Sequence, residues 1–240
     1  MKFPQSLIDT FSNKSILDLD SNLTNIINKK TIKYENKEIV KVKRIYKDKK
    51  NIIQLIINNS NINLLYVNNP NICLFECKIN EFIDLLKSFN CTNEIIKCFL
   101  FFFWGDYTLN NKGKNRYSVK YLYEKHKDML IKLNNYLNQK DLKEKLIDYV
   151  IFSSKKITSK ISGVIINING KYKVIEKEKI INRLLRESIN YNNNCISKLI
   201  INNKKRNIDF DVKSESKRMF VNICFYNAIQ YLQNIIVEED

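Results

Sequence analysis

Gly163-Val164-Ile165-Ile166-Asn167-Ile168-Asn169-Gly170-Lys171-Tyr172-Lys173-Val174-Ile175 is the stretch on which the fold class turns. Asn-Gly suits the two positive-φ positions of a type I′ turn, and the β-branched runs on either side suit a pleated surface, so a β-hairpin is predicted here. A purely helical chain is thereby excluded. Glu176 to Ile189, immediately downstream, is patterned as a helix, with Glu176 and Glu178 at its start and Arg183 and Arg186 near its end, as the macrodipole favours. A further helix is predicted upstream over Asp141 to Phe152. The expected class is α/β, of the mixed α+β kind, with a central mixed sheet flanked by helices.

Towards the amino terminus, Ile52 to Ile57 and Ile62 to Val67 are two apolar runs separated by Asn58-Asn59-Ser60-Asn61, and a second hairpin is the economical reading. Ile39 to Ile45 alternates as a strand with a basic outer face, within a segment, Lys29 to Lys50, in which ten residues are Lys or Arg. Residues 3–28 are helical in pattern. At the other end, Ile196 to Ile201, Ile208 to Val212 and Met219 to Phe225 are strand-like, and Tyr226 to Ile236 closes the chain as a helix. With no internal repeat and no long Gly, Ser or Pro linker, residues 1–240 are expected to form a single domain, a basic amino-terminal region (1–44) followed by a core (45–236).

The middle of the chain holds its densest apolar block, Cys98-Phe99-Leu100-Phe101-Phe102-Phe103-Trp104, which stops at Gly105. Thr92 or Asn93 can cap a helix running into it, and Glu76 to Phe89 forms the helix before. After Gly105-Asp106-Tyr107-Thr108 comes a polar, basic loop from Asn110 to Arg116. Ser118 to Asn138 then reads as one long amphipathic helix, with His126 on its polar side.

Lys and Arg total 41 against 25 Asp and Glu, a net charge of +16 that names a polyanion, nucleic acid first, as partner. Over-use of Ile, Asn and Lys, whose codons are AT-rich, inflates that figure. A homo- or hetero-oligomer is compatible with it. No run reaches the roughly eighteen apolar residues of a membrane span, and the first residues lack a secretory layout, so a soluble, cytoplasmic protein is expected. The six cysteines show no Cys-x-x-Cys pair and are expected as free, buried thiols. A single histidine argues against a hydrolase triad, and four glycines cannot supply a Walker or dinucleotide loop.

A metal-dependent nuclease needs less: two or three carboxylates for Mg²⁺ and a lysine, from adjacent strands. Two short strands, a helix with Asn80-Glu81-Phe82-Ile83, the block Phe-Phe-Trp-Gly-Asp-Tyr-Thr, the polar Asn-Asn-Lys-Gly-Lys-Asn-Arg and a helix with Lys132-Leu133-Asn134-Asn135-Tyr136 follow in order. That succession, with Lys213 to Ile223 as closing strand, resembles a group of bacterial type II restriction endonucleases over residues 45–236. The resemblance implies a restriction-endonuclease-like fold, Mg²⁺ as cofactor if the protein is catalytic, and duplex DNA ahead of RNA as partner. It also implies a metal-binding Asp at the start of one strand and a catalytic Lys at the end of the next, where this chain has Asn51 and Val67. The expectation is therefore a DNA-binding pseudoenzyme with an impaired nuclease centre.

Two residues remain as catalytic candidates. Glu76, in Glu76-Cys77-Lys78, has the acidic-x-Lys form, set against a solvated first helical turn; Asp106 is either a metal ligand or the cap of its turn. Nucleic-acid contact is expected from Lys112, Lys114 and Arg116 around Gly113, or else a solvated loop. The second basic surface comprises Lys204, Lys205, Arg206, Lys217 and Arg218. The alternative function, from another class, is a basic structural protein of a large ribonucleoprotein, such as the ribosome of an AT-rich organelle or parasite.

Overall fold

The computed structural model describes residues 4–12, 19–30, 41–47, 50–57, 59–115, 117, 119–153, 160–187, 189–191, 198–201, 220–225 and 227–237. Its elements begin with α1 (Gln5–Phe11), α2 (Ser21–Lys29), β1 (Lys41–Lys47), β2 (Lys50–Ile57), β3 (Ser60–Val67) and β4 (Ile72–Lys78). Next come α3 (Ile79–Ser88), α4 (Asn93–Trp104), α5 (Val119–Lys125), α6 (Lys127–Leu137) and α7 (Lys140–Phe152). The remainder is β5 (Ile161–Ile168), β6 (Lys171–Glu176), α8 (Lys177–Leu184), β7 (Ile189–Tyr191), β8 (Lys198–Ile201), β9 (Phe220–Phe225) and α9 (Ala228–Val237). The fold is mixed α+β. Two compact units emerge, one from Met1–Ile72, Ile147–Arg183 and Asn227–Asp240, the other from Cys73–Leu146 and Leu184–Tyr226. Because each is assembled from separated segments, the sequence contains no single linker to mark a boundary.

In the first unit the Asn-Gly hairpin forms as its chemistry requires. Asn169 and Gly170 take φ of 50° and 83°, the Gly170 amide donates to Asn167 Oδ1 at 2.9 Å, and β5 and β6 pair from Ile168↔Lys171 to Gly163↔Glu176. The amino-terminal hairpin is tighter than its four-residue turn suggested, with Ile57 already opposite Ser60. The sheet runs β1-β2-β3-β5-β6, antiparallel throughout except for the parallel pair β3–β5. A parallel neighbour requires a long crossover, and most of the second unit lies within it.

One face of this sheet carries the main core. Ile53, Leu55, Ile57, Ile62, Leu64, Tyr66, Ile165 and Val174 pack with Leu7 and Phe11 of α1 and Leu23, Ile26 and Ile27 of α2. Asp20 caps α2 by accepting from the Asn22 amide at 3.0 Å. Each such aliphatic side chain, fully buried, contributes about 1.5–3 kcal/mol, so the sheet face, more than helix propensity, holds these short helices in place. Lys50 is only 3% exposed. Its ammonium donates to the carbonyls of Val150 and Ser153, both at 2.6 Å, at the carboxyl end of α7, where carbonyls lack helical partners and the dipole is negative.

The second unit has a sheet in the order β4-β9-β8-β7, with β8 and β9 parallel and β7 and β8 antiparallel. The aromatic block is helical and buried: Phe82 of α3 lies 5.1 Å from Phe99, which stacks on Phe103 at 5.8 Å. Leu130, Leu133 and Leu137 form the buried stripe of α6. Lys143 repeats the device of Lys50, being buried and donating to the carbonyls of Leu185, at 2.8 Å, and Glu187. Desolvation pushes its ammonium below the ordinary lysine value. No described helix is long and apolar enough to cross a membrane.

Three expectations are corrected. Residues 76–78 belong to β4, and the helix starts at Ile79 because Lys78 is extended, with φ −63° and ψ 150°. The helix expected over Glu176 to Ile189 spans only Lys177–Leu184, since Glu176 ends β6 and Ile189 starts β7. The long helix over residues 118–138 is interrupted at His126, whose φ of −130° is not helical. Cys77, Cys91 and Cys98 are buried and Cys224 is half-buried, none of the four in a disulfide. Ile208 to Val212 lies outside the described residues.

Candidate nucleic-acid interface

The site is built on the end of α4. Thr92 caps its start, accepting from the Ile95 amide at 3.4 Å, and Gly105 closes it in the left-handed conformation with φ 67°. Asp106 follows, 4% exposed. Its Oδ1 accepts from the Thr108 amide at 2.9 Å and the Thr108 hydroxyl at 2.8 Å, and its Oδ2 accepts from the Gly113 amide at 2.9 Å. Thr108 Oγ1 in turn accepts from the Lys112 amide at 3.2 Å, and the Tyr117 amide donates to the Gly105 carbonyl at 2.9 Å. One carboxylate thus ties together the segment from Asp106 to Gly113. Gly113 is required there, because a Cβ would sit 2.3 Å from the Asp106 carbonyl oxygen and 2.7 Å from its Cβ. Lys112 and Lys114, on either side of Gly113, are exposed.

An aromatic group adjoins this loop. Tyr107 has φ 61°, a conformation that bulky side chains rarely adopt, and is 40% exposed. Tyr117 meets it edge-on with ring centroids 4.5 Å apart, and Tyr121 stacks on Tyr117 at 5.2 Å with planes 21° apart. His126 Nε2 lies 3.2 Å from the Tyr107 hydroxyl, and its ring meets Phe101 at 4.9 Å. Desolvation, then the hydrogen bond and charge of the Tyr121 phenol and the charge of Tyr117, raises Tyr107 above the usual tyrosine value. His126 was expected on a polar helix face. It sits instead, half-buried, at the break between α5 and α6, drawn into this group.

The other expected site residues divide among three situations. Asp106 is central, with both carboxylate oxygens committed to the loop. Glu76 and Lys78 are exposed and, two residues apart on β4, share a face, so the helical objection to an acidic-x-Lys pair falls. Asp84 is exposed on α3. Arg116, Lys204, Lys205, Arg206, Lys217 and Arg218 lie outside the described residues. Among the described residues, no three His, Cys, Asp or Glu side chains gather as a metal site would require.

Asn51 and Val67 lie in the first unit, at the open end of the β2–β3 hairpin. Residues paired across strands share a face, and Ile53 pairs with Leu64 while Ile52 pairs with Leu65. Asn51 therefore falls on the face of Ile53 and Leu64, which is covered by α1 and α2, and Val67 on the opposite face with Leu65. An Asp and a Lys at these two positions would not have faced one another.

A groove of about 410 Å³ lies between α4 and α6, with Cys98 and Phe101 among its lining residues. Its charges are mixed, Glu94 and Asp128 against Lys97 and Lys132, with Lys132 and Glu94 paired at 2.5 Å. That rim does not favour a phosphate. No family model matches the chain, and no curated protein matches it.

Proposed function

We propose that this protein binds nucleic acid, duplex DNA ahead of RNA, as a restriction-endonuclease-type chain whose own Mg²⁺-dependent cleavage is lost. The carrying observation is the Asp106-centred loop: it presents Lys112 and Lys114 from a hydrogen-bonded frame on a chain of net charge +16. Ordering the backbone before contact lowers the entropic cost of binding, and two lysines displace condensed counterions from phosphates. Kinship to the endonucleases is supported by the mixed sheet, whose antiparallel β1-β2-β3 continues into a parallel β5. Loss of cleavage is supported by Asn51 and Val67, which carry no charge where the resemblance implies an Asp and a Lys.

Affinity for a short duplex, measured across a salt series, tests this reading. Lys112→Ala with Lys114→Ala should weaken binding irrespective of sequence and reduce the slope of log K against log salt by roughly 2. Plasmid DNA with Mg²⁺ should remain intact. Cutting that disappears on Glu76→Ala or Asp106→Ala would overturn the inactive assignment, and an unchanged salt slope would remove the loop from the interface.

A further inference from the structure

We infer that the tyrosines beside the basic loop are a stacking seat for an unpaired base, so that the loop also grips single-stranded DNA; this rests on the binding reading above. Tyr107 and Tyr121 are 40% and 39% exposed, although the aromatic rings of α4 beside them are largely hidden. The exposure is organised. Tyr117 and Tyr121 form a near-parallel stack at 5.2 Å, and Tyr107 is held across it by the 4.5 Å edge contact and by His126. A stack of this kind is extended by any planar group of similar size.

The backbone of Tyr107 points the same way. A φ of 61° on a bulky residue persists only where surroundings enforce it, and such positions cluster at ligand contacts. Lys112 and Lys114 in the same loop provide the charge complement for a phosphate backbone. Paired bases inside a duplex offer no ring face to a side chain, whereas unpaired bases stack on aromatic residues with little regard to sequence. Rings on the loop and on α5, with ammonium groups on the loop, thus fit the two recognisable parts of a single strand.

The test uses the full chain and two probes: a short single-stranded DNA carrying 2-aminopurine, and the same sequence as a duplex. Binding should quench the 2-aminopurine. Tyr121→Leu should weaken single-strand binding roughly 5- to 100-fold and abolish the quench, with duplex affinity held within about twofold. Tyr107→Asn, which suits positive φ, is the second variant, with folding of both checked by circular dichroism. Unchanged single-strand affinity and quench in both would overturn the seat while leaving the lysine loop intact, provided Lys112→Ala with Lys114→Ala still weakens both probes. Wild-type protein that binds neither probe would overturn the seat and the binding reading together.

Discussion

Replacing Asp106 by alanine removes three accepted hydrogen bonds at once, from the Thr108 amide, the Thr108 hydroxyl and the Gly113 amide. Bonds to a charged acceptor contribute about 1.5–3 kcal/mol each. The amides freed at a surface loop recover part of that from water, so the net loss should be about 2–4 kcal/mol. With a urea dependence of about 2 kcal/mol per molar, the unfolding midpoint should fall by about 1–2 M. Asp106→Asn should cost less. Its remaining oxygen can serve Thr108, but its amide group then confronts the Gly113 N–H, donor against donor. Urea unfolding followed by circular dichroism measures both variants, and plasmid cleavage with Mg²⁺ is measured beside them. An Asp106→Ala protein as stable as wild type, together with Mg²⁺-dependent cutting that only the wild type performs, would refute the loop-organising role and make Asp106 a metal ligand.

Three further outcomes are expected. Gly113→Ala should cost about 1–3 kcal/mol in urea unfolding, because its methyl must displace the Asp106 carbonyl, and DNA affinity should drop with it. Lys50→Met keeps most of the unbranched side chain but strips two 2.6 Å bonds from the end of α7, and the unfolding midpoint should show a loss of about 2–4 kcal/mol. Glu176 supplies a pH dependence: burial works to raise its carboxyl, but hydrogen bonds from Lys29, at 2.5 Å, and Asn25, with the charges of Lys29 and Lys179, outweigh this and hold it below the ordinary value. A depressed native pKa stabilises above the unfolded value of about 4.3 and is lost as pH falls through the native one. The stability gap between wild type and Glu176→Gln should therefore be full at neutral pH and close through that acidic window.

Where structure is decided by neighbouring residues, the sequence shows it. Asn169-Gly170 encodes its hairpin because the backbone preference is local, and Thr92 caps α4 for the same reason. β4 was missed because its sheet partner is β9, far along the chain, even though the turn-forming Asn68-Asn69-Pro70-Asn71 stands directly before it. The break at His126 depends on Phe101 and Tyr107, which only the folded chain brings to it. At the site, Asp106 was legible as a turn cap, since Asx-type bonding to a residue two ahead is local; its reach to Gly113 was not. The opposite faces of Asn51 and Val67 were within reach of sequence alone. Strand alternation carries them once Ile57 and Ser60 are recognised as opposite residues.

The interleaving of the two units bears on how the protein is made. The first five-stranded sheet receives its α1–α2 cover early, yet α9 belongs to the same unit, and its entry is held by Pro70 and Asn71 through the Ala228 amide at 2.7 Å and the Asn227 amide at 3.2 Å. At ribosomal speeds of roughly 5–20 residues per second, α9 emerges roughly ten to thirty seconds after Pro70. For the first part of that interval the nascent β2–β3 hairpin waits on its parallel neighbour β5 and on β6, and α9 follows last. The chain order thus makes this unit one that closes only after most of the chain has been made.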